Sequence, residues 1–394
     1  MPWKETDPMD QREEFVLKAL EKSSPFAELC RQYGVSPKTG YKWLGRFREG
    51  GLPALHDQST KPLTCPAGLP ESTVCRIVEL KSAHRHWGPR KIRALYARKH
   101  PGEDLPSESS FKRVLDKAGL VEKRAVRRPS SEGGRIQSRR KAQHPNEVWT
   151  VDFKGWWHTA DSRRCEPLTI RDAHSRFILC ADPLENSRTG TVRERFERGF
   201  ETYGLPETIR SDNGPPFASP NGLLGLSRLS AWWLALGISL DRIDPGRPEQ
   251  NGSHERMHRD IRLEVQGMVR GDLAAQRAAL SLWRESYNRE RPHEALGYLT
   301  PADIYKPSAR RYQATPDQLA YPEGFIDRKV KRCGAISLNR SYIFVSTALH
   351  GWNVGLCQET PQQIGVWFGS LRLGTIDMRT DAFEPVRPAV EMPP

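Results

Sequence analysis

Three acidic side chains stand where they could do metal-assisted phosphate chemistry. Asp152 lies in the run Trp149-Thr150-Val151-Asp152-Phe153, which reads as a strand. Asp212 follows a second short strand, Glu207 to Ser211, and precedes Asn213-Gly214. Glu255 sits in the first turns of a helix expected from about Ser253 to Met268. In an α/β sheet, groups at strand ends and nearby helix N-termini converge on one crevice. Carboxylates gathered there repel one another unless a cation neutralises them. Hard oxygen donors, with no Cys or His at ligand spacing, select Mg²⁺ or Mn²⁺. Two such ions can clamp the attacking and leaving oxygens of an in-line phosphoryl displacement. Asn251, Glu255, Arg259 and Arg262 recur at spacings of four, four and three, which is one helical stripe. That stripe could set an acid on the ions and arginines on a phosphate backbone. A solvent-facing Glu–Arg ladder, stabilising by about 0.2–0.5 kcal/mol per pair, writes the same spacing. Spacing alone favours the ladder.

Neighbouring residues compete for these roles. Asp172 ends the strand after Asp152's and could point to the same crevice, but capping a turn with Ser175 suits it better. Asp244 and Glu249 lie in the loop before Glu255, and a loop holds a ligand less rigidly than a helix. The Trp156-Trp157 pair reads as core packing rather than a base-stacking platform. His254 and His258 flank the acid, yet a histidine base is unnecessary where metals activate water.

The elements that must position these groups belong to a multidomain chain. It has 394 residues, 37% of them hydrophobic and 28% charged, which suits a globular protein and excludes a collagen-like or disordered one. No apolar run reaches membrane-spanning length, and Met1 to Asp7 lacks an apolar signal segment. The seven cysteines are scattered, odd in number and never in a C-x-x-C pair, against both a disulfide framework and a zinc knuckle. The expectation is a reduced, cytoplasmic protein with no membrane partner. The net charge is +13, and residues 81–150 alone carry 18 Lys and Arg against 7 Asp and Glu. A basic block interleaved with helical apolar patterning points to a polyanion such as double-stranded DNA, because each cation near a phosphate releases a counterion.

Along the chain, residues 1–52 read as a helix-turn-helix unit. Helices are expected at 11–23, Pro25 to Tyr33 and Pro37 to Arg48, with Gly34 ending the second, Ser36 capping the third and Pro37 at its first position. Tyr41, Leu44 and Phe47 would face the core, while Lys38, Lys42 and Arg46 face out and could enter a major groove. An ordinary three-helix bundle with a charged surface fits that pattern equally. Residues 53–71 read as a linker. Residues 72–123 read as a second helix-turn-helix unit containing Gly88-Pro89-Arg90-Lys91-Ile92 and a helix capped by Ser107. Residues 124–145 form a basic linker without regular apolar spacing. From 146 to 310, three strands followed by alternating helices and strands indicate a mixed sheet flanked by helices. Short runs with Gly turns over 326–380 suggest a small β-barrel, and 381–394 a loose tail.

Three stretches resemble the catalytic core of bacterial insertion-sequence transposases in the retroviral-integrase superfamily. They are Trp149-Thr150-Val151-Asp152-Phe153-Lys154, Ser211-Asp212-Asn213-Gly214-Pro215-Pro216-Phe217, and Arg247-Pro248-Glu249-Gln250-Asn251-Gly252-Ser253-His254-Glu255-Arg256. The segments Tyr287 to Leu296 and Thr300-Pro301-Ala302 resemble the stretch C-terminal to that core in the family. Lys38 to Leu44 and His86 to Ile92 resemble the family's two helix-turn-helix units. The likeness runs in order over roughly residues 1–310. It implies an RNase-H-like fold in the core and an Asp-Asp-Glu triad of Asp152, Asp212 and Glu255 binding two Mg²⁺ or Mn²⁺ ions. It further implies that Lys38, Lys42, Arg46, Arg90, Lys91, Asn213, Asn251, Arg259 and Arg262 lie on DNA. The implied activity is cleavage at the inverted-repeat ends of an insertion sequence and strand transfer into target DNA, by a homo-oligomer on DNA at the nucleoid. The alternatives are a sequence-specific regulator that has lost catalysis, or a hydrolytic nuclease of the same fold. One departure stands out. Between Asp212 and Glu255 lie 255 − 212 − 1 = 42 residues, more than the family's usual interval, and the excess is expected at Ser219 to Gly225.

Overall fold

The computed structural model describes residues 7–57, 68–121, 141–244, 248–268, 271–314 and 318–386. Most of the expected basic linker, at 122–140, and the tail from 387 lie outside the described residues. The chain divides into two compact units, Met1–Leu69 and Pro70–Pro394.

The first unit is built from α1 (Pro8–Glu21), α2 (Phe26–Gln32) and α3 (Pro37–Gly50). Each begins where local chemistry dictates. Asp7 accepts from the Met9 N–H, Ser36 accepts from the Thr39 N–H, and Pro37 opens α3 at a position that needs no donor. Phe15, Val16, Leu29, Cys30 and Leu44 form the core. Two expectations are corrected here. Tyr41 is not a core residue: it is 61% exposed and stacks on Phe26 with 4.2 Å between ring centroids. The buried position is Gly40, where a Cβ would meet Cys30 Sγ at 2.8 Å and Phe15 at 2.9 Å, so helix packing there requires glycine. The expected linker also starts later, because Leu52–Leu55 form a helical turn that buries Leu55 completely in the same core.

The second unit opens with α4 (Glu71–Ala83), α5 (Pro89–Lys99) and α6 (Glu108–Lys117). Ile77, Ile92, Leu95, Tyr96, Phe111 and Leu115 are buried, and Ser107 caps α6 through the Ser110 N–H. A mixed sheet comes next in the chain. Its strands are β1 (Val148–Phe153), β2 (Trp157–His158), β3 (Arg164–Asp172), β4 (Ile178–Leu184), β5 (Thr208–Ser211) and β6 (Ser239–Arg242). They lie in the order β2-β3-β1-β5-β6, with β4 also along β3. The pairs β1–β3 and β3–β4 are antiparallel, whereas β1–β5 and β5–β6 are parallel. Side chains alternate across the sheet. Trp149, Val151, Leu168 and Ile170 pack under α7 (Thr189–Tyr203) and α8 (Arg228–Ala235), together with Phe196, Phe200, Trp232 and Trp233. The opposite face, carrying Thr150, Asp152, Thr169 and Arg171, receives α9 (Gly252–Ile261). A π-helical turn at Arg262–Gln266 extends α9, and Met257, Ile261 and Val265 pack on Leu280, Trp283 and Tyr287 of α10 (Leu273–Arg289). That helix has 17 residues.

The extra residues between Asp212 and Glu255 are ordered. Leu223–Gly225 form a 3₁₀ turn, and Ser227 caps α8 at Arg228. Arg242 fastens the turn by donating to the carbonyls of Leu224 and Gly225, both at 2.9 Å. Leu223 and Leu224 pack against the hydrophobic cluster of the C-terminal part.

After α11 (Pro301–Ile304), that C-terminal part contains β7 (Phe325–Lys329), β8 (Ala335–Leu338), β9 (Ser341–Phe344), β10 (Asn353–Thr360), β11 (Gln363–Phe368), β12 (Leu371–Asp377) and β13 (Ala382–Pro385). The expected barrel is corrected to an open sheet. Its order is β13-β12-β11-β10-β7, and among the described residues no ladder joins the two edge strands. The β8–β9 hairpin contributes Ile336, Leu338 and Ile343 to the cluster with Val354, Val366 and Phe368. Hydrophobic closure thus takes the place of a closed hydrogen-bond cylinder.

Candidate active site

Strand register brings the first two acids together. In the parallel pair of β1 and β5, Val148 is opposite Thr208 and Thr150 opposite Arg210, an offset of 208 − 148 = 60. Asp152 and Asp212 differ by the same 212 − 152 = 60, so Asp212, one step past the end of β5, falls beside Asp152. Adjacent strands are about 4.8 Å apart and residues in register point to one face. Asp212 is held at the turn by the Gly214 N–H, 3.3 Å from its Oδ1.

The helix α9 delivers the third. Asn251 Nδ2 donates to Asp152 Oδ2 at 3.3 Å, and His258 Nδ1 lies 3.9 Å from the same oxygen. Glu255 lies between them on the stripe 251–255–258, one turn from each, so it faces the same carboxylate. The electrostatics agree. Burial, then Asp212, then Glu255 push the Asp152 carboxyl up to about 7. Asp212 is solvent-accessible, yet its carboxyl also sits above its ordinary value, because the surrounding chain displaces water. Glu255 is exposed.

Neutral histidines fix α9 to the sheet. His254 and His258 are buried, and their Nε2 atoms lie 2.7 and 2.8 Å from Thr169 Oγ1; His254 Nδ1 lies 3.0 Å from Thr150 Oγ1. Thr169 is the register partner of Asp152, and its hydroxyl reaches the Asp152 carbonyl at 2.9 Å. One hydroxyl proton cannot serve three acceptors, so at least one imidazole donates its Nε2–H. Burial, then Lys154 and Arg171, lowers His258 to about 3, and burial holds His254 well below its usual value. Both rings are uncharged hydrogen-bonding groups. Arg171, fully buried, adds bonds to the Ser253 carbonyl at 2.9 Å and its hydroxyl at 2.7 Å. The sequence reading weighs these two histidines only as bases; their role as hydrogen-bonding support depends on Thr150 of β1 and Thr169 of β3 meeting the same helix face.

The other expected site residues are dispersed. Asn213 donates to the Ile243 carbonyl at 2.6 Å, tying the loop after β5 to the end of β6. Arg259 and Arg262 are exposed along the stripe beyond Glu255. Lys38 is exposed at the start of α3, and Lys42 and Arg46 flank the Trp43 ring at 5.3 and 4.9 Å. Arg90 pairs with Glu108 and Glu294 at 3.1 and 3.3 Å, and Lys91 is half-buried toward Arg291, Asp260 and Glu264 rather than turned to solvent. Asp172 is fully buried and accepts from Ser175 N–H and O–H and from Asn146 N–H, the turn-capping role that its position suggested. Trp156 is 54% exposed and carries Arg164 over its ring at 5.3 Å, which corrects the expectation of core packing.

The donor set fits a hard divalent cation. Carboxylate oxygens and the Asn251 amide oxygen are the available ligands, and a bound cation would offset both the burial and the neighbouring acids that raise Asp152. Among the described residues, no three His, Cys, Asp or Glu side chains are gathered tightly enough to hold an ion as they stand.

Comparison with known proteins places this geometry. Family models for an integrase core domain match residues 142–248 and 236–301; a helix-turn-helix domain matches 11–62 and a homeodomain-like domain 39–115. An uncharacterised 31.7 kDa protein of insertion element IS407, from Burkholderia multivorans, is 31% identical over 63% of this chain and 84% of its own length. The chain belongs to the insertion-sequence transposases of the integrase superfamily. An uncharacterised 39.2 kDa protein of element IS476, from Xanthomonas euvesicatoria, is 26% identical over 66% of this chain and 72% of its own length. The crystal structure of the catalytic core domain of BIV integrase matches at 24% identity, covering 41% of this chain and 93% of that one, with a TM-score of 0.31. Within the transposase family the helix-turn-helix matches imply DNA binding. No helix among the described residues is long and apolar enough to cross a membrane.

Proposed function

We propose that this chain is an active DNA transposase in which Asp152, Asp212 and Glu255 form one metal-binding catalytic site. The observation that carries the reading is the convergence on Asp152: Asp212 by strand register, Glu255 by helix stripe, both sensed by its carboxyl. Bound Mg²⁺ or Mn²⁺, as a pair, would lower the pKa of water and offset charge developing on the phosphate. Asp152, Asp212 and Glu255 would be the residues that hold the ions, with Asp152 shared between them. Asn251 holds the Asp152 carboxylate through its amide donor, and Arg259 and Arg262, exposed on the same stripe, are the cations for a phosphate backbone. Hydrolysis then breaks the phosphodiester at the element's end and leaves a 3′-hydroxyl. That hydroxyl attacks a target phosphate, forming the new ester as the target strand breaks.

In this reading residues 1–52 and 72–123 recognise the terminal inverted repeats and 146–310 catalyse. Joining of two ends calls for at least a dimer on DNA. Repeat-end duplex with one labelled strand, incubated with a target plasmid and Mg²⁺, tests the reading. Joined products are expected. Nicked products alone would favour a nuclease, and bound but intact DNA a regulator without catalysis.

A further inference from the structure

A buried electrostatic knot links the second helical triplet to the helix carrying Glu255. Arg291, 4% exposed, donates Nη2 to Asp260 at 2.7 Å and Nη1 to Glu264 at 3.2 and 3.4 Å. Asp260 lies on α9, and Glu264 lies in the π turn that extends it, where it also accepts the Trp283 indole N–H at 2.8 Å. π turns inside helices are frequent at functional sites. This one turns Glu264 toward both partners. From the other side α5 presents Lys91 to Arg291, Asp260, Glu264 and Glu294. The Arg291 guanidinium is 5.8 Å from the buried Trp87 ring, on which His84 stacks at 3.9 Å. The same α5 is clamped to the segment after α10 by the two-pronged Arg98–Asp303 pair, at 2.7 and 2.9 Å.

None of these residues takes part in the chemistry described above. Their placement gives them another use. At its N-terminal end α9 is pinned by Thr169, Thr150 and Arg171. At its C-terminal end it is pinned by Arg291, and that pin is shared with a unit expected to hold DNA. A catalytic side chain must be held to about half an ångström, so a shift at this shared pin is felt at Glu255.

We propose that Arg291 is a positioning residue that transmits DNA occupancy of the second helical triplet to the placement of Glu255. The proposal rests on the reading of α4–α6 as a DNA-binding unit. Hydrogen exchange of the amides in 252–266, measured on the full chain with and without a duplex of the element's terminal repeat, tests it. In the wild type, DNA is expected to slow exchange in this segment about tenfold. In Arg291→Met that slowing is lost while the Kd for the duplex stays within about twofold, and kcat for end cleavage falls about tenfold with KM unchanged. Arg291→Lys restores part of the protection. If Arg291→Met fails to fold, Glu264→Gln removes one arm of the knot and reads the same quantities. Wild-type protection in a folded variant, or a loss of rate matched by a loss of DNA affinity, would overturn the coupling. Failure of the wild type to bind the duplex would overturn the reading beneath it, and the titration shows which has failed.

Discussion

Asp152 and three buried histidines, His254 and His258 beside it and His293 against Tyr287, titrate against folding in opposite senses. His258 at about 3, His293 at about 2 and His254 well below its usual value all have folded pKa values under the unfolded 6.5, because burial penalises their charged forms. The unfolded chain therefore binds three more protons on these residues between about pH 4 and 6, and their stability contribution is lost as pH falls below 6.5. Asp152, raised to about 7 from 3.8, works the other way and is relieved by protonation over the same window. The histidines win by two protons, a slope of at most about 2.7 kcal/mol per pH unit. Urea unfolding should show a midpoint falling steeply from pH 6 to pH 5; a flat or rising midpoint would contradict the placement of these rings as buried and neutral. The three acids were legible in the sequence by type and position. Their support was not, because a Thr opposite an Asp in an antiparallel register is a property of strand pairing that neither strand states alone.

At the scale of elements, caps and periodicity carried the reading. Ser36-Pro37 and Ser107 mark element boundaries through local hydrogen bonds and backbone geometry, and the structure has them there. Tyr41 failed as a core residue for a reason that periodicity cannot express: the close approach of α1 and α2 to α3 needs the missing side chain of Gly40 on the buried stripe. That sets a test. Gly40→Ala gains up to about 1 kcal/mol of helix propensity but forces a Cβ against Cys30 and Phe15, and overpacking of this kind costs about 1–3 kcal/mol. The expected net is a loss of about 0–2 kcal/mol, read as faster hydrogen exchange over residues 8–50 of the full chain. Slower exchange would mean that the helices part easily there. The segment 219–225, where the excess is expected, packs under the C-terminal sheet through Leu223 and Leu224, which meet strands more than 100 residues away. The open C-terminal sheet was likewise out of reach, since closure depends on edge pairing and not on strand spacing.

For the whole molecule, family membership, the mixed sheet between helices and the paired helical units were recoverable from ordered motifs, while the sharing of Arg291 between α9 and the second triplet was not. Basic residues such as Arg90 and Lys91 look alike in sequence whether they meet DNA or a neighbouring carboxylate, and here both face Glu294 among others. Everything proposed about activity depends on the three acids acting together on divalent ions. Mn²⁺ binding to the full chain, followed by electron paramagnetic resonance, tests that most directly. The wild type should bind two ions, with Asp152→Asn losing both and Asp212→Asn or Glu255→Gln losing one each. Unchanged binding in folded Asp152→Asn would contradict the shared site.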